Sequence, residues 1–167
     1  MFLRKVERRL WDWREEDIPW LPPNEFPAAP LGDLRTSADS KLSVWHIEED
    51  RSNLALVVAA VAASRDHADK FDYVLFSEDI LREVGIHAEV TRGTSRDSAT
   101  NEQWHRDLTE LTASKLVVLA RLIGRYGTTD RFMENEVELL IREAIAAGRI
   151  DPGKLDPKLR ERLFGRT

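Results

Sequence analysis

Two segments of this sequence set a histidine two residues from a carboxylate: His87-x-Glu89 and His105-x-Asp107. Each pairs an imidazole nitrogen with an anionic oxygen, ligand types on which zinc and manganese sites draw. Ile86, Ala88 and Val90 alternate with His87, Glu89 and Thr91, the pattern of a half-exposed strand. Residues two apart on a strand share a face, so His87 and Glu89 can share an ion. Around His105 the spacing of Trp104, Leu108 and Leu111 is helical, and residues two apart on a helix point about 200° apart. His105 and Asp107 should therefore diverge. A catalytic metal needs at least three converging ligands. A small metal-dependent hydrolase or nuclease using His87 and Glu89 is thus an alternative, and no metal, cofactor or catalytic residue is assigned.

Other catalytic patterns fail on inspection. His105-Arg106-Asp107-Leu108 spells the opening of a protein-kinase catalytic loop, which needs an Asn five residues past the Asp to hold magnesium. Position 112 is Thr, and neither a glycine-rich phosphate loop nor Asp-Phe-Gly occurs. No Gly-x-Ser-x-Gly is present, and the eight glycines are scattered as helix stops and turns. The Arg-to-His spacing of a common helical ribonuclease class is also missing: Arg96 is too far from His105, and Arg65 too near His67. The residues identify no enzyme.

Aromatic residues offer a different chemistry. Trp11, Trp13 and Trp20 fall close together beside Phe26 and five prolines between Pro19 and Pro30. Proline removes a backbone donor and biases its predecessor away from helix, so this stretch is extended or turned. Large aromatic rings are frequent anchors at protein interfaces. Trp11, Trp13, Trp20 and Phe26 are the candidate partner-binding residues.

The elements that must position these residues follow from periodicity. Phe2, Val6, Leu10 and Trp13 predict an N-terminal helix leading into the Pro/Trp-rich arm, together residues 1–35. Residues 36–167 then form one globular domain. Leu42–Ile47 and Tyr73–Phe76 read as strands, with 86–91 as a third. Between them lie a buried apolar helix over 54–63 and a short helix over 78–84 ended by Gly85. Residues 93–100 form a polar loop. Helices are predicted around Trp104–Leu111, from Thr112 or Ser114 through Ile123, from about Thr129 to Ala147, and over 157–164.

The fold class expected is α+β: a small three-stranded sheet in the N-terminal half packed against a helical C-terminal half. The alternative is α/β with a short parallel sheet. The end of this pattern loosely resembles a winged helix-turn-helix. Its last long helix carries Glu134, Glu136, Glu138 and Glu143 against Arg142, the wrong sign for phosphates. A winged-helix-like docking or regulatory domain is the second alternative function.

Bulk properties narrow the field further. With 167 residues and a net charge of −5, the chain can bury a core and repels nucleic acid. The basic tail, with Lys154 and Lys158, reads as a solvated helix face. Cysteine is absent, as suits a reducing cytoplasm. The opening MFLRKVERRLW places charges where a signal peptide has an unbroken apolar stretch. The longest apolar run, Leu54–Ala63, falls well short of the roughly 20 residues a bilayer demands. The leading expectation is a non-enzymatic, cytoplasmic protein-binding module of immunity, antitoxin or accessory-subunit type in a bacterial setting. Its partner would be another protein, basic in character, or a second copy of the chain.

Overall fold

A computed structural model of the chain describes residues 1–12 and 25–165. The strands are β1 (Phe2–Lys5), β2 (Leu42–His46), β3 (Phe71–Phe76), β4 (His87–Val90), β5 (His105–Thr109) and β6 (Thr128–Phe132). The helices are α1 (Leu54–Ala62), α2 (Glu78–Val84), α3 (Ser98–Trp104), α4 (Ala113–Tyr126), α5 (Glu134–Ala146) and α6 (Pro157–Phe164). All six strands join one antiparallel sheet in the order β4-β5-β2-β1-β3-β6. The class is α+β, but the expected three-stranded sheet and the parallel alternative are both wrong. Each of the three unforeseen strands lies where the sequence predicts helix.

The physical reason is shortness. In β1, Phe2 and Leu3 are adjacent and both buried, because the strand lies between β2 and β3 and is covered on both faces. Such a strand shows no alternation. Its apparent helical partners lie elsewhere: Val6 follows the strand, and Leu10 sits in a 3-10 turn over Arg8–Leu10. Likewise Trp104 ends α3, Leu108 belongs to β5 and Leu111 follows it. β6 occupies the segment read as the start of the last long helix, so a strand separates α4 from α5.

Contacts divide the chain into two units, one of Met1–Val44, Asp72–Glu89 and Arg106–Asp130, the other of Trp45–Phe71, Val90–His105 and Arg131–Thr167. In the first, β1 pairs antiparallel with β3 in the register Phe2 with Phe76 and Lys5 with Tyr73. Phe2, Val44, Phe76, Leu108, Leu119 and Ile123 belong to its apolar core. Helix α4 starts where Thr112 Oγ1 accepts the Lys115 N–H at 3.2 Å. The Lys115 ammonium then donates to Gly85 O at 2.8 Å, tying α4 to the end of α2. Asp33 fixes the N-terminal segment, accepting the Glu7 N–H and the Trp11 indole N–H, each at 2.8 Å. Arg4 donates to the carbonyls of Asp33 and Ser43; burial pulls its guanidinium below the usual range, and Asp33 opposes that.

In the second unit, α1 packs on α5 and α3. Asn53 precedes α1, but its side chain closes the preceding turn instead of capping the helix. Its Oδ1 accepts the Glu48 N–H and its Nδ2 donates to His46 O, both at 3.0 Å. Helix α5 ends at Gly148, whose φ of 71° is a left-handed conformation suited to glycine. Helix α6 buries Leu159 and Leu163, and its Arg162 donates to Glu138 on α5 at 2.6 Å. Among the described residues no helix is long and apolar enough to cross a membrane.

Candidate functional site

The polar loop between β4 and α3, Thr91–Asp97, is held by buried side chains. Asp97, 2% exposed, caps α3: its Oδ1 accepts the Thr100 N–H at 3.1 Å. Its Oδ2 accepts the Thr100 hydroxyl at 2.9 Å and Arg149 Nε at 2.8 Å, while Arg149 Nη2 donates to Thr100 Oγ1 at 3.1 Å. This closed network ties the start of α3 to the residue after Gly148. Asn101, 4% exposed, clamps the loop itself. Its Oδ1 accepts the Ser95 N–H at 3.0 Å and the Ser95 hydroxyl at 2.6 Å, and its Nδ2 donates to Ser95 O at 2.9 Å.

Beneath the loop stands His105, 5% exposed, its ring edge-on to Trp45 with centroids 5.0 Å apart. Its Nδ1 lies 2.9 Å from Thr91 Oγ1. Gly93 lies so close that a Cβ there would stand 2.7 Å from Asn101 Oδ1 and 3.0 Å from the imidazole. No larger residue fits without moving the clamp or the ring.

Between this loop and the turn after α5 opens a cleft of about 580 Å³. Arg92, Thr94, Arg96, Ser98, Arg149 and Lys154 line it, with Ile145 and Pro152 as apolar wall. Among the described residues Asp151 is its one lining carboxylate, and its Oδ1 accepts the Gly153 N–H at 2.8 Å. Arg92 pairs with Glu102 at 3.4 Å across an exposed surface. Arg96 and Lys154 make no side-chain hydrogen bond or ion pair among the described residues, and neither do the hydroxyls of Thr94 and Ser98. A cluster of cations within an acidic chain draws anions. The cleft can bind a negative group.

The residues singled out from sequence lie elsewhere or serve other ends. His87 and Glu89 are exposed on β4, and Glu89 accepts the Thr109 hydroxyl at 3.3 Å. His105 and Asp107 lie on a strand, not a helix, so the predicted 200° divergence is wrong and they share a face. Asp107 accepts the Ser43 hydroxyl at 3.1 Å. Near this polar face Lys41 pairs with Asp39 at 3.2 Å; Asp39 chiefly, with Asp107 and Glu89, raises its ammonium above the usual range. Among the described residues no group of three or more His, Cys, Asp or Glu is placed to hold a metal. Trp11 and Phe26, 4% and 8% exposed, pack on each other with centroids 5.9 Å apart. Trp13 and Trp20 lie outside the described residues.

No family model, curated protein or solved structure matches the chain. The cleft therefore rests on its own geometry. Sequence reasoning placed a loop over 93–100, of which 98–100 are the first turn of α3, gave it no role, and assigned Lys154 to a solvated face. Asp97 followed by Thr100 was a legible cap; the partner of Asp97, Arg149, lies too far along the chain to leave a local signal.

Proposed function

We propose that this protein is a non-enzymatic binding module that holds an anionic segment of a protein partner in the cleft beside the Thr91–Asp97 loop. One observation carries the reading. The buried polar groups there are spent on the loop's own shape, and the groups left over, besides the Asp151 carboxylate, are cations and hydroxyls. A hydroxyl nucleophile needs a base within hydrogen-bond reach. Among the described residues neither Thr94 nor Ser98 has one, and His105 Nδ1 is turned to Thr91. Donors without a base favour binding over turnover.

Net charge alone points to a partner that is basic overall; the cleft points to an acidic segment on it. Opposite charges brought together in this way speed encounter and fix register. The role is of the immunity, antitoxin or accessory-subunit kind, in a cytoplasm whose reducing conditions suit a cysteine-free chain. Immobilised wild-type protein and the charge-reversed variant Arg96→Glu/Lys154→Glu serve as paired baits. The expected partner is retained by the first and lost by the second, and the same difference appears in calorimetry with purified components. Equal affinity for both baits would remove the cleft from the interface. Hydrolysis of an ester or phosphoester that falls with the same substitutions would overturn the non-enzymatic reading.

A further inference from the structure

We infer that the group this cleft receives is a phosphate monoester, carried by a phosphorylated serine or threonine of the partner; the inference rests on the binding reading above. The deciding feature is the number and kind of uncommitted donors. Arg96, Lys154, Thr94 and Ser98 all line the cleft, and among the described residues none has a side-chain partner. Two are cations and two are neutral hydroxyls. Arg149 adds the edge of a guanidinium already oriented by Asp97 and Thr100.

A carboxylate carries one charge and two oxygens, which a single arginine fork satisfies. A phosphate monoester carries nearly two charges and three terminal acceptor oxygens near neutral pH. It can engage two cations and two hydroxyls at once, where a carboxylate has too little charge and too few oxygens to occupy them all. Size agrees: about 580 Å³ exceeds a bare phosphate and leaves room for the residues beside it. Ile145 and Pro152 supply an apolar wall for that flanking chain. Rigidity agrees too, since the Asn101 clamp and the Asp97–Arg149 pair set the loop before any ligand arrives.

Calorimetry on the full chain tests this with three short degenerate peptide mixtures that differ only in a fixed central residue: phosphoserine, glutamate or serine. Inorganic phosphate and a sugar phosphate serve as competitors. The phosphoserine mixture is expected to bind at least about tenfold tighter than the glutamate mixture, a difference of about 1.4 kcal/mol. Inorganic phosphate should displace it, and Arg96→Gln/Lys154→Gln should abolish the preference with an unchanged circular dichroism spectrum. If the glutamate mixture binds as tightly, the phosphate assignment falls and the acidic-segment reading stands. A sugar phosphate that binds tighter than every peptide would overturn the phosphoprotein source. If no peptide binds and phosphate does not either, both readings fall.

Discussion

The cleft beside Thr91–Asp97 and the polar face across β4, β5 and β2 are both rich in charge and hydroxyl groups, yet they are built on opposite plans. On the sheet face each acid meets a donor on the neighbouring strand: Glu89 with Thr109, Asp107 with Ser43. Lys41 has Asp39 close by. These pairs, with Glu89 exposed and Asp107 half-buried, satisfy one another, and the ion pair of Lys41 with Asp39 contributes little. In the cleft the buried Asp97 and Asn101 are satisfied, with the half-buried Ser95, while among the described residues the exposed side chains of Thr94, Arg96, Ser98 and Lys154 are left without partners. A site differs from a decorated surface in where its unmet hydrogen bonds lie, not in how many polar residues it holds.

Substitution should separate the two plans by the size of its effect. The largest is expected for Asp97→Ala, which strands Arg149 and Thr100. Removing one partner of a buried pair costs about 3–5 kcal/mol, and Arg149's partial exposure places this case near 3. Urea unfolding measures it, and a loss below about 1 kcal/mol would show the network to be incidental. Next comes Gly93→Ala, whose methyl group must push on Asn101 and His105. Overpacking of this kind costs about 1–3 kcal/mol, and anion binding should weaken with it. An unchanged melting curve for Gly93→Ala would mean the loop is looser than drawn. Smallest are Glu89→Gln and Asp107→Asn on the sheet face, each within about 0.5 kcal/mol of wild type. Neither should alter anion binding; a clear loss from either would erase the distinction between the regions.

The same contrast governs what could be read from sequence. Helices α1, α2 and α6 were legible because apolar spacing, prolines and Gly85 set their limits locally. Strands β2, β3 and β4 were legible because their β-branched or alternating runs match one period. By contrast, Trp104, Leu108 and Leu111 imitate one helical stripe while belonging to a helix, a strand and a loop. Strands this brief without a β-branched or alternating run cannot be told from helix by period, and neighbours in the sheet settle the matter. The cleft was hidden for a related reason. Arg96 and Lys154 are ordinary surface residues in sequence, and the bonds of Arg149 to Asp97 and Thr100 tie their segments together.

The place of β1 inside the sheet has a consequence for the order of synthesis. Phe2–Lys5 is made well before its register partners, Tyr73–Phe76. The interior of the sheet must wait for a strand made much later, and closing so long a loop is entropically slow. Until then the edge of β1 that β3 will cover stays open beside Phe2 and Leu3. Open strand edges and exposed apolar side chains of this kind favour aggregation.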